Sequence, residues 1–301
     1  MKQHWLTKGI IGIMIMLAMS ACQKQNYYER PFPRVLTTGV SEVGPGGARF
    51  HGEMIKEGEE AVVDHGFYWS LGRTPSAGTR QQISLGPLDK ASAFDAFVDF
   101  ALPEGKKIYV WAYLKTNDLE VYGNARSFTS GGCNPPEIIS MDPQPATYLE
   151  EISIHGRYFG TNEKLASITL KTDAPVTFFS DTLIRFQVPI AVDKQVSDLI
   201  LDIMGQEVTV PFEIYPPQIH SLSRRVLPRK DTLDIFGEYF NPNTYFQVVR
   251  MDGHTCKRVF SEPNTIRIIV PEDLDTARYY RIEVVVGEMS AVSKDSVFVP
   301  H

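Results

Sequence analysis

The chain has 301 residues, of which 43% are hydrophobic and 22% charged, and it carries a formal net charge of −6 at pH 7. This acidic balance leaves no basic surplus to neutralise phosphates, which argues against a nucleic-acid partner. The three cysteines have no pair of histidines near them, so the sequence predicts neither a metal site nor a cofactor.

The first 21 residues have the layout of a secretory signal peptide. Lys2 and Lys8 flank the start of an apolar run, and small residues precede Cys22. The alternatives are a buried helix or a membrane-spanning anchor, but the run is short for a span of about 20 residues. The segment resembles a bacterial lipoprotein signal, in which the cysteine is acylated. That resemblance implies lipidation at Cys22 and attachment of the N-terminal lipid to the outer membrane.

Residues 22–32 are polar with interspersed aromatic side chains, and we expect them to form a tether that holds the body off the membrane. Cys133 lies at a Gly-Pro junction and Cys256 lies inside the last module. Because a bridge between them would have to cross a whole domain, the sequence predicts two free thiols.

Residues 33–130 show short apolar runs that Gly, Pro, Asp and Asn interrupt every 8 to 12 residues or so. This pattern predicts an all-β sandwich, and no stretch of the chain keeps a helical period. The predicted strands are Ala48–Met54, Val62–Ser70, Phe94–Ala101, Ile108–Thr116 and Ala125–Thr129.

The rest of the chain consists of two copies of one module, at 134–216 and 217–301. Seven residues of the first copy recur 81 positions later: Pro136, Ile138, Ser140, Ile154, Gly156, Tyr158 and Phe159 return as Pro217, Ile219, Ser221, Ile235, Gly237, Tyr239 and Phe240. Both copies alternate apolar and polar residues before the shared glycine, as half-buried strands do. The sequence therefore predicts an all-β fold of three tandem immunoglobulin-like sandwiches after a lipoprotein signal peptide.

The two copies resemble the IPT/TIG family of immunoglobulin-like domains. Three segments carry the resemblance: Pro136–Ser140, Ile154–Gly160 and Val188–Pro189. The second copy has Asn241 where the first has Gly160, and we expect Asn to keep the same left-handed backbone. Residues 33–129 resemble the fibronectin type III-like domains of Bacteroides-type lipoproteins, through segments such as Gly66–Ser70, Leu102–Gly105 and Tyr109–Tyr113.

A lipoprotein with such tandem modules resembles the surface glycan-binding proteins of polysaccharide-utilisation systems. The resemblance implies a non-catalytic protein that binds or presents polysaccharide beside a TonB-dependent transporter, on the cell surface rather than the periplasmic face. Four Asp-Ser/Thr-apolar segments also match an O-glycosylation pattern of that bacterial group, where about one would arise by chance. They are Asp181–Leu183, Asp231–Leu233, Asp275–Ala277 and Asp295–Val297. The alternative is a structural or adhesive spacer that binds a protein partner and no sugar.

Both faces of the predicted strand 108–114 are apolar, although a strand of a sandwich has only one inner face. Tyr109, Trp111 and Tyr113 share one face, and Tyr68 lies on a neighbouring strand. An exposed patch of these four aromatic residues would stack against sugar rings, so they are the glycan-binding candidates. The alternative is that they pack under loops or against the next module. Phe67 and Trp69 are assigned to the core.

The loop Arg224–Lys230 is a second candidate, for acidic glycans or lipid phosphates, with an ordinary solvated loop as the alternative. No Gly-x-Ser-x-Gly or His-Glu-x-x-His motif occurs, and the histidines are scattered singly. The sequence therefore predicts that the protein is not an enzyme.

Overall fold

The computed structural model describes residues 31–74 and 76–301. The predicted signal peptide 1–21, the predicted lipidation site Cys22 and all but the last two residues of the predicted tether lie outside the described residues. The described ranges form strands with a single short 3-10 turn at Glu163–Leu165, and they hold no helix that would reach across a bilayer.

The first sandwich pairs a three-stranded sheet, in the order β1-β2-β5, with a sheet in the order β4-β3-β6-β7 in which β8 also pairs with β6. Its strands are β1 (Arg34–Gly44), β2 (Gly47–Lys56), β3 (Val62–Ser70), β4 (Gln81–Leu88), β5 (Ala93–Val98), β6 (Lys107–Lys115), β7 (Glu120–Tyr122) and β8 (Arg126–Thr129). Phe67 and Trp69 are fully buried in its core, as predicted.

Three strands of this sandwich, β1, β4 and β7, were not predicted from the sequence. All three lie at sheet edges, where side chains are less apolar than in central strands. In β4, Gly86 and Pro87 also interrupt the alternation that identifies a strand.

The two repeat copies have the same topology. One sheet follows the order β13-β14-β10-β9 in the first copy and β21-β22-β18-β17 in the second, and the facing sheet follows β12-β11-β15-β16 and β20-β19-β23-β24. The first copy holds β9 (Glu137–Asp142), β10 (Glu151–Arg157), β11 (Ala166–Leu170), β12 (Thr172–Asp173), β13 (Val176–Phe179), β14 (Leu183–Gln187), β15 (Val196–Ile203) and β16 (Gln206–Glu213). The second holds β17 (Gln218–Leu222), β18 (Thr232–Glu238), β19 (Val248–Met251), β20 (His254–Thr255), β21 (Lys257–Glu262), β22 (Thr265–Ile269), β23 (Arg278–Val286) and β24 (Met289–Val299).

The fold is therefore all-β and built from immunoglobulin-like sandwiches, as predicted. Three separate clusters of buried apolar side chains form the cores of the three pairs of sheets. The boundaries placed at residues 33, 134 and 217 stay predictions.

The shared Gly-x-Tyr-Phe segment turns the chain at the end of β10 and β18. Tyr158 and Tyr239 take positive φ angles of 64° and 60°, a conformation that is uncommon for residues other than glycine. The turn sends the next residue, Phe159 or Phe240, into the core of its own copy, where each is fully buried. The tyrosine stays half-buried.

The expectation that Asn241 keeps the left-handed backbone of Gly160 is wrong. Gly160 has a φ of 82°, whereas Asn241 is not among the residues with a positive φ. The Asn241 side chain instead forms hydrogen bonds, from its Nδ2 to the Ile190 carbonyl at 2.7 Å and from the Asn243 N–H to its Oδ1 at 2.9 Å. Asn241 therefore contributes through the hydrogen bonds of its amide group rather than through a left-handed backbone.

The same turn contacts the preceding module in both copies. At the first junction, the Thr161 N–H donates to Gln81 Oε1 at 2.7 Å and Asn162 Nδ2 donates to the Arg80 carbonyl at 2.6 Å. Gly160 gives Gln81 the room it occupies, because a Cβ there would lie 2.8 Å from the Gln81 Oε1.

The second junction repeats this arrangement. Asn241 binds the Ile190 carbonyl, and the hairpin after β23 adds a hydrogen bond from the Glu288 N–H to the Asp193 carbonyl at 2.8 Å. Met289 packs into the core cluster of the first copy. Each copy thus brings the contacts that hold it to the module before it.

The two remaining cysteines are unpaired, as predicted, and both are buried. Cys133 Sγ donates to Gln206 Oε1 at 3.3 Å across the first junction. Burial raises the pKa of the Cys133 thiol, and it raises the pKa of Cys256 to about 12. Both thiols are therefore protonated at neutral pH and serve packing.

Candidate functional site

The four aromatic glycan-binding candidates lie together on the outer face of the sheet that contains β3 and β6. Tyr113 is fully buried, Tyr68 and Trp111 are each 4% exposed, and Tyr109 is half-buried. The alternative given above, that these aromatic side chains are packed away rather than exposed, therefore holds for Tyr68, Trp111 and Tyr113. Whether any of the four contacts a glycan stays a prediction.

Polar groups on and beside the strands of this sheet cover these rings. The Arg80 guanidinium lies 3.6 Å above the centroid of the Tyr68 ring, and Tyr68 and Tyr113 stack with centroids 4.4 Å apart. The Tyr68 hydroxyl donates to Glu120, and the Tyr113 hydroxyl donates to Asp64 at 2.7 Å. The aromatic side chains on this outer face thus form a second packed layer outside the core, which polar side chains cover through cation–π contact and hydrogen bonds.

The same contacts set the protonation of the two tyrosines. Burial raises the pKa of Tyr68 and of Tyr113, and the neighbouring carboxylates Glu120 and Asp64 raise it further. Both hydroxyls therefore stay protonated and act as hydrogen-bond donors rather than as bases.

The other two rings form a more open pair. Tyr109 and Trp111 stack with centroids 6.3 Å apart, and the Lys107 ammonium lies 5.4 Å from the Tyr109 centroid. Only the half-buried Tyr109 presents a ring to solvent.

A cleft of about 370 Å³ opens where the first sandwich meets the first repeat copy. It is lined by Tyr68, Ala77, Arg80, Gln82, Thr161, Asn162, Glu163, Lys164 and Phe179. The lining combines two aromatic rings with cationic, amide and hydroxyl groups, which is the mixture that a polyhydroxylated ligand requires. Of the predicted candidates, only Tyr68 reaches it.

The residues that join Tyr68 in this first-junction cleft were missed from the sequence. Arg80 and Gln82 belong to the first module, whereas Asn162, Lys164 and Phe179 belong to the first repeat copy. They converge only because the Thr161 and Asn162 contacts join the two modules. Periodicity within one module carries no signal for such a cleft.

A second cleft, of about 480 Å³, lies between the two repeat copies and is more apolar. It is lined by Thr147, Tyr148, Glu238, Tyr239, Phe240, Glu262, Pro263 and Asn264. Beside it, the rings of Tyr215 and Tyr239 stack 4.5 Å apart. The Tyr148 hydroxyl donates to the Val192 carbonyl at 3.2 Å, and burial raises the pKa of Tyr148 to about 12.

The basic loop Arg224–Lys230 is largely neutralised within its own copy. Arg224 pairs with Asp231 at 2.9 Å, and Lys230 pairs with Glu272 at 3.1 Å. Such exposed pairs contribute little to stability, but they lower the positive potential that an acidic ligand would meet.

Residues 31–74 and 76–301 hold no group of three or more His, Cys, Asp or Glu side chains that could bind a metal ion. His254 pairs with Asp273 at 2.9 Å on the surface, and His65 binds the Gly86 carbonyl at 2.6 Å.

Comparison with known proteins gives structural neighbours but no family. No protein-family model matches the chain, and no curated protein matches its sequence. Among solved structures, the chain is similar to SGBP-B from a complex xyloglucan utilization locus in Bacteroides uniformis, with 15% identity and a TM-score of 0.26 over 56% of this chain and 50% of that one. It is also similar to the surface glycan-binding protein PbSGBP-B from Prevotella bryantii, with 16% identity and a TM-score of 0.30 over 54% of this chain and 42% of that one.

The I9–I11 tandem from titin is a third neighbour, with 9% identity and a TM-score of 0.30 over 89% of this chain and 99% of that one. The solved structures to which the chain is similar thus include surface glycan-binding proteins and a tandem from titin. The chain spans half or less of the length of either bacterial protein. Likeness at this level says nothing about what this chain binds.

Proposed function

We propose that this protein is a non-catalytic lipoprotein of the cell envelope that binds or presents glycan as an accessory of a polysaccharide-utilisation system. The observation that carries the proposal is the first-junction cleft, where aromatic rings, a guanidinium, an ammonium and amide groups meet. Sugar rings offer apolar faces to aromatic side chains, and their hydroxyls need convergent polar partners.

The four aromatic candidates have different parts in this proposal. Tyr68 lines the cleft, and Tyr109 is half-buried on the same face. Trp111 is as buried as Tyr68 but does not line the cleft, and Tyr113 is fully buried, so these two side chains act by holding the other two rings in place. Their substitution by alanine would chiefly lower stability, by about 3–5 kcal/mol.

The proposed setting follows from the sequence. A lipid on Cys22 anchors the chain in the outer membrane, with the sandwiches on the cell surface and a TonB-dependent transporter complex as the neighbouring partner. The Asp-Ser/Thr-apolar segments agree with export. Incorporation of radiolabelled palmitate into the wild type, and its absence from Cys22→Ala, would test the lipid anchor. Cleavage of the protein when a protease is added to whole cells would test the surface orientation.

Native gel retardation in a panel of neutral and acidic polysaccharides tests glycan binding. We expect one class of polysaccharide to retard the wild type, and the double substitution Lys164→Ala with Phe179→Ala to weaken the retardation. Phe178→Ala is the matched control, because Phe178 adjoins Phe179 on β13 but does not line the cleft. No retardation by any polysaccharide would overturn the proposal.

A spacer that binds a protein partner is the second candidate, and the hydrogen-bonded junctions favour it. Modules docked by the Thr161 and Asn241 contacts hold a fixed spacing, which is what a spacer must provide. Chemical cross-linking on cells that captures one protein, together with no retardation in any polysaccharide, would select this function instead.

A further inference from the structure

The second repeat copy carries an aromatic pair, an exposed tyrosine and a half-buried phenylalanine, on the outer face of its late hairpin. Tyr279 on β23 and Phe298 on β24 are direct cross-strand partners, with ring centroids 4.9 Å apart and ring planes at 47°. Val226 bridges to Phe298 on the neighbouring segment. Tyr279 is 66% exposed and Val226 is 59% exposed. Because paired residues point to the same side of a sheet, the three side chains stand in one apolar row.

The fold does not need this row, and the first copy shows it. The Ala146 N–H donates to the Glu213 carbonyl, and the Leu227 N–H donates to the Phe298 carbonyl, both at 3.0 Å, so Glu213 and Phe298 occupy corresponding places. The cross-strand partner of Glu213 is Val196. The first copy therefore builds the same sheet with a Val–Glu pair where the second has Tyr–Phe.

Polar groups border the row. Arg225 Nη2 lies 2.7 Å from Asp295 Oδ2, and these two side chains are 71% and 41% exposed. With Val226, Tyr279, Ser296 and Phe298 they line a shallow cleft of about 430 Å³. Within residues 31–74 and 76–301, the Tyr279 hydroxyl has no hydrogen-bond partner.

The size and chemistry of the cleft decide which ligand it fits. A stable protein interface buries about 800 Å² on each partner, whereas the two aromatic side chains that dominate this row offer only about 300–500 Å². An apolar floor of two tilted rings, with donors and acceptors at its rim, matches a pyranose ring, which has an apolar C–H face and equatorial hydroxyls.

We propose that Tyr279, Phe298 and Val226 form a glycan-binding platform on the second repeat copy, with Arg225, Asp295 and Ser296 as its hydrogen-bonding rim, and that it takes a polysaccharide of pyranose units. This inference rests on the proposed function for its ligand class, but it uses a surface distant in the chain from the first-junction cleft. Two separate contacts would give one chain bivalent attachment to a polymer.

The test compares Tyr279→Ala, Tyr279→Trp and the control Tyr245→Ala for affinity towards the polysaccharide that retards the wild type. Tyr245 is a suitable control because it is 91% exposed in the same copy and lies outside the cleft. We expect Tyr279→Ala to bind about tenfold more weakly, and Tyr279→Trp and Tyr245→Ala to bind like the wild type. Since Tyr279 is exposed, thermal unfolding should be unchanged in all three.

The Tyr279→Trp variant also reports binding directly, because the fluorescence emission of the introduced indole should shift when the polysaccharide stacks on it. If the wild type binds a polysaccharide and Tyr279→Ala binds it equally well, the platform proposal is wrong and the proposed function still holds. No wild-type binding to any polysaccharide, with no fluorescence change in Tyr279→Trp, would overturn both.

Discussion

The two repeat copies share the order of strands in both sheets, yet they present different outer surfaces. Both bury the phenylalanine of the Gly-x-Tyr-Phe turn and use the following loop to contact the preceding module. They differ at the late hairpin, where Val196 and Glu213 in one copy correspond to Tyr279 and Phe298 in the other. The residues that the copies share thus stabilise the sandwich and its junction, and the residues that differ lie on surfaces that are available for a ligand.

The largest expected effect is on the glycine that both copies share. A Cβ on Gly156 would overlap the Glu137 carbonyl and the Phe159 ring, and one on Gly237 would overlap the Gln218 carbonyl and the Phe240 ring. We expect Gly156→Ala and Gly237→Ala each to lower the free energy of unfolding by about 3 kcal/mol, measured by urea denaturation. Gly46→Ala is the control, because nothing lies within 4 Å of its Cβ position. Equal stability of all three variants would contradict this account of the turn.

A smaller effect is expected at the second junction. Asn241→Gly installs the residue of the first copy and removes the hydrogen bond to the Ile190 carbonyl, at a cost of about 1 kcal/mol. The loss should appear as faster proteolysis near Tyr215, where the two copies join, with the core of each copy intact. Glycine at 241 with unchanged proteolysis would show that the amide is not what holds the junction.

The smallest expected effect is a pH dependence of stability that the second copy has and the first copy lacks. Asp234 pairs with Arg267 through bonds of 2.5 and 2.8 Å, whereas the corresponding partner of Arg185 in the first copy is Ser153. The hydrogen bonds from Arg267 lower the pKa of Asp234. Because the folded pKa lies below the unfolded one, the pair stabilises the fold at neutral pH, and this contribution disappears as pH falls through the lowered pKa.

Asp234→Asn should therefore unfold more easily than the wild type at pH 7, and the difference should shrink as the pH falls below the ordinary pKa of an aspartate, about 3.9. Ser153→Ala in the first copy should show no such dependence. A difference between Asp234→Asn and the wild type that stays constant with pH would contradict the ion-pair account.

The sequence predicted the features that depend on period and repetition. The alternation around Ile154 and Ile235 predicted half-buried strands, and both residues are fully buried. The burial of Tyr68, Trp111 and Tyr113 could not be predicted in the same way. Their cover comes from Arg80 and Glu120, which lie on or beside edge strands that carry a weak strand pattern.

The Tyr279–Phe298 pair was missed for a different reason. Tyr279 and Phe298 each look like an ordinary strand aromatic when read within one copy. The signal lies in the comparison of the copies, where the Val196–Glu213 pair shows that no aromatic is required. The correspondence appears when the copies are aligned by their cross-strand partners rather than by their sequences. The reason is that a register shift between Arg281 and Glu283 changes the spacing of residues along β23 and β24.

The junction contacts have a consequence for how such a chain can grow. Since the turn at Asn241 and the hairpin at Glu288 belong to the later module, a tandem duplication inherits its own joint and needs no new interface. What must stay open is the acceptor, the carbonyl at Ile190. In the second copy the corresponding carbonyl, that of Glu272, already accepts from Arg229 at 3.0 Å, so any module that docked there in the same way would first have to displace the guanidinium.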